Sequence, residues 1–532
     1  MARGPIEVGT ASTADAGASS FDPSGLHLLT ADDVQGALEQ VDTRLEGTLG
    51  GVNVLNVRDF GAVGDGVTDD LPAIAEALIL ERNSLDPQQW VPRFDREAGG
   101  VLYFPPGVYF LAGVMMLWFD RLHVVGAGAG RTTLLFHQAG YQGDPDLAPT
   151  LWFTDPRFDR RITGASVRDL TVRTDLLLTR DDPRQSGSTV CKFLQVDGLR
   201  VSGVEVADSP SFGMTVWDCT DVVIEGCHVH DTHMDGIHLA SVTRGVVENC
   251  RVDHTGDDAI AVSGENNPDE GVCRQIVVSS NVITRSGSNG IAVFGADGVV
   301  ISANTVSGTY QAGIGLNQNG LPRHTSNVVI RGNHLDDVGL YGTDTDVLWG
   351  EGVPYGIGVG LDDGGERRVA GVVVEANAVG ACRNGYALVA QAVDTKVAGN
   401  QFLGPITTEQ PAPGTAQYGG PLGGRMLAPV PAFGAGPAPV YPAVRVRRAQ
   451  RVRVDNNVVR PASGEAAVLV EGVTPEDVVR ARVSDNTIDR GADAPLGTHG
   501  ADEIAVAPAG VVAYQGGNDV NGLAIPGAST PA

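Results

Sequence analysis

Residues 222–265 read VVIEGCHVHDTHMDGIHLASVTRGVVENCRVDHTGDDAIAVSGE, and the stretch falls on itself when shifted by 23 residues. The shift lays Cys227 on Cys250, Asp235 on Asp258 and Gly236 on Ala259. Apolar residues alternate over runs of three to five, a strand period too short-lived for a helix. Such strands cannot bury their aliphatic side within one unit, so each unit must stack on the next. The 23-residue unit is therefore one coil of a solenoid.

Working outward, the pattern apolar-x-apolar-x-x-(Asn/Cys)-x-apolar marks Val204, Cys227, Cys250, Asn281, Asn304, Asn333, Asn377, Asn400, Asn457 and Asn486. The spacings are 23, 23, 31, 23, 29, 44, 23, 57 and 29, a base period lengthened by insertions. A second strand type recurs in step at Gly213, Gly236, Ala259, Gly290, Gly313, Gly356 and Gly385. An Asn repeated at one inward turn is expected to bond its neighbours above and below, satisfying backbone groups that the turn leaves unpaired. Cys227 and Cys250 share that ladder, so their thiols read as structural. The fold class is all-β, a single-stranded parallel β-helix with a short N-terminal helix and arm.

Residues 1–50 read as an arm and a short helix for attachment or trimerisation: Thr30 and Asp33 open it, and Val34, Leu38, Val41 and Leu45 form an apolar seam. Spacing alone fits a helix lying on the domain's own surface equally well. Residues 51–490 form the β-helix. Near Asp69 or Asp70, with Pro72 in its first turn, a helix is expected to plug the first coil. Residues 403–445 are too rich in Pro and Gly for strand or helix and read as a surface excursion. From 491 to 532 the period is lost.

A formal net charge of −27 opposes nucleic acid and anionic membrane as partners. Six cysteines without a CxxC pair argue against a zinc or redox framework. The start has no apolar signal core and no apolar run of eighteen residues follows, so neither a cleaved signal nor membrane insertion is expected.

Register also predicts chemistry. Asp235 and Asp258 should lie one above the other, about 4.8 Å apart, with Asp257 adjoining. Like charges this close raise one pKa, which suits a shared proton or a held water; the same set suits a calcium ion. No other cofactor is expected. Five of the 11 histidines, His228, His230, His233, His238 and His254, fall within 27 residues. The same register puts His230 over Asp253 and Asp231 over His254. Such a cluster suits substrate, a metal or a solvated surface lattice, and His233, His238 and His254 are placed near the site. Trp217 points outward as a platform for a sugar ring. Arg285, Asn289 and Gln311 follow in line on later coils.

The stretch DFGAVGDGVTDDLPAIAEAL (59–78), followed by GGVLYFPPGVYFL (99–111), resembles the opening cap of pectate-lyase-like β-helix proteins, including phage tailspikes and polygalacturonases. The resemblance implies a right-handed coil. TADDVQGALEQVDTRL (30–45) is similar to the helical segments that precede tailspike bodies. The central HMDG and GDD resemble the NTDG and GDD motifs of polygalacturonase-type enzymes, family 28 of the glycoside hydrolases. That likeness implies Asp257 as general acid, Asp235 and Asp258 as holders of the attacking water, and hydrolysis with inversion. Asn289 stands where that family carries a GHG histidine, and His233 where it carries Asn, so the sugar is left open.

The expected function is a tailspike-like polysaccharide hydrolase. It would be a homotrimer made in the cytoplasm and carried on a virion tail or extracellular appendage, bound to baseplate proteins through residues 1–50. Its substrate would be a bacterial surface glycan. A non-catalytic glycan-binding spike, a lyase and a free polygalacturonase-like hydrolase are the alternatives.

Overall fold

The computed structural model describes residues 53–524, apart from 82–89, 96, 138–147, 176–188, 265–270, 318–323, 340–354, 361–368, 383–384, 405, 407–441, 462–465, 472–478, 490–503, 508–510, 517 and 521–522. The arm and helix at 1–50, most of the 403–445 excursion and residues 491–503 thus lie outside the described residues.

Each coil contributes one strand to each of three parallel sheets. The central coil shows the order. Thr220–Glu225 lies in the first sheet, His228–Thr232 in the second and Ile237–Ala240 in the third. Thr243–Glu248 then returns to the first sheet and pairs with Thr220–Glu225 in a 23-residue register. The cap segments Gly100–Tyr103 and Gly107–Leu111 likewise enter different sheets. Each pairs with the coil above or below and not with its neighbour in sequence.

The interior is aliphatic. Val222, Ile224, Val229, Ile237 and Leu239 from one coil are fully or almost fully buried, and their counterparts stack above and below. Burying each such side chain is worth about 1.5–3 kcal/mol, which a single coil cannot realise without neighbours. The helix Leu71–Leu78 begins after Asp70 with Pro72 in its first turn, as expected, and drives Ile74, Ala77 and Leu78 into the core.

Two corners are held by side-chain ladders. Between the first and second sheets, the Nδ2 of Asn281 donates to Asn304 Oδ1, Asn304 to Asn333, Asn333 to Asn377, Asn377 to Asn400, Asn400 to Asn457 and Asn457 to Asn486, at 2.9–3.0 Å. Each Oδ1 also accepts the main-chain N–H of the preceding Asn, as between Asn304 and Asn333. Cys227 and Cys250 continue the ladder as buried free thiols aimed at the carbonyls of Val201 and Ile224. The ladder also extends past the expected boundary at 490. Asn518 accepts from Asn486, Val511–Gly516 adds a strand to the first sheet and Asp519–Val520 one to the second. Leu523–Ala524 then pairs antiparallel on Asp519–Val520, ending the parallel order. Sparse aliphatics hid this coil, because Gly and Ala carry little periodic signal.

The corner between the second and third sheets is tighter. A β-carbon at Gly236 would come to 2.5 Å of Val252 Cγ1 and 2.7 Å of the Ala259 carbonyl. Glycine at this step lets the chain turn directly from Thr232 into Ile237.

Candidate functional site

The second corner carries the carboxylates. Oδ1 of Asp235 accepts the N–H of Asp258 at 3.1 Å. Oδ1 of Asp258 accepts both the N–H and the Nδ2 of Asn289, at 2.8 and 2.9 Å. Oδ1 of Asn289 accepts the N–H of Ala312 at 3.2 Å. The four residues climb one corner, so Asp235 and Asp258 occupy an inward ladder much like that of the asparagines. Both are 5% exposed. Asp257 is half-buried, its carbonyl held by the hydroxyls of Thr255 and Ser286 at 2.8 Å each.

One carboxylate oxygen from each of Asp235, Asp257 and Asp258 falls within 4.8 Å of the others. Burial, followed by the charges of Asp257 and Asp235, pushes Asp258 well above the usual carboxylate range. The cluster is tighter than the roughly 6.5–9.5 Å gap between the carboxyl groups of inverting glycosidases. Its oxygen donors match calcium in kind, yet Asp235 already commits Oδ1 to a main-chain N–H and sets Oδ2 2.6 Å from His238 Nδ1. The His238 ring lies 4.7 Å from that of Phe212.

Beside the corner runs a network of histidines and acids on the outer face of the second sheet. His230 pairs with Asp253 in register, as the sequence predicts. Asp231 Oδ2 meets His230 Nδ1 at 2.7 Å and its Oδ1 meets His254 Nδ1 at 2.5 Å. Hydrogen bonds from His230 and then His254 hold Asp231 far below the ordinary carboxylate range. The bond to Asp231 raises His230 above the ordinary imidazole value, against burial. Burial and then the neighbouring His230 lower His228. Glu205, whose burial works the other way, is brought below the usual range by hydrogen bonds from Thr171 and His230.

Of the residues placed near substrate, Trp217 is 46% exposed and faces outward at the end of Met214–Trp217. Arg285 is half-exposed and grips Asp253 through Nε and Nη2. Gln311 is partly buried, its Oε1 3.5 Å from Asn289 Nδ2. His238 and His254 are partly exposed. Two placements are corrected. His233 is only 1% exposed and lies inside the turn, so substrate contact does not fit it. Asn289 is buried and directs its donors to Asp258, so it positions a carboxyl group and not a sugar. Glu205 and Thr171 were not anticipated, although stepping 23 residues back from His228 lands on Glu205.

A right handed beta helix region matches residues 186–285 and 212–402, and a rhamnogalacturonase A/epimerase, pectate lyase-like region matches residues 54–163. The chain folds as a right-handed parallel β-helix. Mannuronan C5-epimerase AlgE3 of Azotobacter vinelandii is 35% identical over 88 residues, 15% of this chain and 4% of the epimerase, so the chain matches a small part of that relative's length. The catalytic unit of a GH87 alpha-1,3-glucanase from Streptomyces thermodiastaticus superposes with a TM-score of 0.50 at 16% identity, over 90% of this chain and 69% of the glucanase. A DFA-IIIase from Arthrobacter chlorophenolicus superposes with a TM-score of 0.50 at 14% identity, over 76% of this chain and 94% of that one. At such identities the likeness establishes the fold. Among the described residues no helix is long and apolar enough to cross a membrane.

Proposed function

We propose that this chain is a glycoside hydrolase that binds a polysaccharide across the corner between its second and third sheets and cleaves it by carboxylate acid/base chemistry. Asp257, the most open of the three carboxyl groups, is the general acid. Asp235 and Asp258 orient the water, and His238 is held against Asp235. The observation that carries the reading is the cluster of three carboxyl groups with oxygens within 4.8 Å of one another, Asp235 and Asp258 buried and Asp257 half-buried beside them.

Inversion requires a water between two carboxyl groups, and the 4.8 Å cluster admits one only if Asp257 swings outward. A product that keeps its anomeric configuration would make Asp257 the nucleophile instead. The biological setting we propose is a homotrimeric, tailspike-like protein that attaches through residues 1–50 and degrades a bacterial surface glycan. The test is incubation of the purified chain with a panel of capsular and cell-wall glycans, followed by mass spectrometry and anomeric NMR of the products. New reducing ends support the proposal. An intact glycan that stays bound refutes catalysis and leaves a binding spike.

A second reading rests on the mannuronan C5-epimerase stretch together with the close Asp235–His238 pair. Here His238 would act on the proton beside a uronate carboxyl group. Products with a new double bond, or an altered uronate ratio without chain cleavage, would favour it over hydrolysis.

A further inference from the structure

Outside the carboxylate corner, the outer face of the second sheet gathers a different donor set. Glu205 begins Glu205–Ser209 and pairs in register with His228, which begins His228–Thr232. His228 and His230, two residues apart on one strand, share the outward face. Their rings stack with centroids 4.3 Å apart. Oε1 of Glu205 lies 3.3 Å from His230 Nε2, and one ligand atom from each of the three residues falls within 4.8 Å of the others.

The surroundings fix these groups. Thr171 Oγ1 donates to Glu205 Oε2 at 2.6 Å, which turns Oε1 toward the histidines. Asp231 engages His230 Nδ1 and leaves Nε2 facing inward to the cluster. A carboxylate behind a histidine is the usual support of a metal-binding imidazole, since it sets the tautomer and raises the basicity of the other nitrogen. His228 Nε2 is buried with no hydrogen-bond partner. A buried polar atom without a partner is costly unless something else satisfies it.

We propose that Glu205, His228 and His230 bind a divalent transition metal ion of the zinc type. Two imidazoles and one carboxylate suit such an ion and not calcium, which takes six to eight oxygens. Bonds of about 2.0–2.1 Å need ligand atoms roughly 3.4 Å apart, so the cluster closes by about an ångström through side-chain rotation. Three protein ligands leave a fourth position for water. The site is separate from the acidic corner and does not depend on the proposed hydrolysis.

The experiment is titration of the full-length, metal-stripped chain with Co2+ alone, whose visible absorption reports coordination, followed by displacement with Zn2+. One equivalent with an intense tetrahedral-type spectrum is expected. Glu205→Gln and His228→Gln should each abolish that spectrum, Asp231→Asn should weaken affinity roughly 10- to 100-fold, and Asp257→Asn should leave binding intact. A weak, aqua-ion-like spectrum in the wild type would overturn the assignment. Binding undiminished in both Gln variants, or lost in Asp257→Asn, would do the same. Circular dichroism confirms folding, and if one Gln variant fails to fold, the other decides.

Discussion

Asp235 accepts the main-chain N–H of Asp258, one coil further along, through Oδ1 at 3.1 Å, while its Oδ2 lies 2.6 Å from His238 Nδ1. One carboxyl group therefore belongs both to the backbone scaffold of the corner and to its chemistry. Asp258 repeats the arrangement with Asn289, and the corner forms a short ladder in which two of the rungs are acids. Asparagine would serve the scaffold equally well, as it does at Asn289. The acids at 235 and 258 therefore add something the scaffold does not require.

Asp257→Asn is expected to lower kcat by about 10²- to 10⁴-fold, the usual share of a general acid. Its carbonyl, not its carboxyl group, receives the Thr255 and Ser286 hydroxyls, so the fold should survive. Steady-state assay of reducing ends beside a thermal melt checks this. Retained turnover would remove Asp257 from the mechanism, and a collapsed melt would show the carboxyl group to be structural.

Asp258→Asn should separate stability from activity. Burial and the neighbouring Asp257 and Asp235 raise the Asp258 pKa well above its ordinary value of 3.8, so the folded chain holds this proton more tightly than the unfolded chain does. Stability then falls as pH rises from the unfolded value through the folded one. The variant lacks this penalty. Its melting temperature should exceed that of the wild type at neutral pH, with the difference shrinking as pH falls toward about 4, while turnover is lost. A lower melting temperature at neutral pH would contradict the upward shift of Asp258.

Much of this was legible in the sequence because a solenoid turns spacing into contact. A 23-residue offset placed Asp235 beside Asp258 and His230 over Asp253, and the recurring Asn marked the first corner. What failed was alternation near the second corner. Asp231, His254 and Arg285 have φ near +55°, the left-handed region, and each inserts an extra outward residue before the turn. Counting by twos from Val229 would bury Asp231 and expose Thr232, whereas Thr232 is buried and Asp231 is the partly exposed one. His233 and Asn289 lie beyond the strands that end at Thr232 and Ser286, in the turn between sheets where a period of two no longer applies, and both are buried.

Trp217→Ala should raise KM about three- to tenfold and leave the melt nearly unchanged. Aromatic stacking contributes roughly 0.5–1.5 kcal/mol beyond area burial. The indole is 46% exposed, and its partner in register on the next coil is the small Ala240. Steady-state kinetics with an oligosaccharide product series would locate the subsite. An unchanged KM across the series would mean that no sugar rests on this ring.

Asn333→Ala tests whether the first corner depends on its amide ladder. Asn333 Nδ2 donates to the Ile301 carbonyl at 3.0 Å and to Asn377 Oδ1 at 2.9 Å, and its Oδ1 accepts both the N–H and the Nδ2 of Asn304 at 3.0 Å. Alanine strands the Ile301 carbonyl and both Asn304 donors in a dry interior, at about 1–3 kcal/mol each. The expected loss is about 3 kcal/mol or more. Asn333→Cys should cost less, because Cys227 and Cys250 occupy the same corner with thiols aimed at carbonyls. Because coils contact only their neighbours, the damage should begin locally. Hydrogen exchange should show protection lost first at the amides of Asn304 and Thr305, before the coils near Val222 respond. Uniform loss of protection along the whole chain would instead mean that the β-helix melts as one cooperative unit.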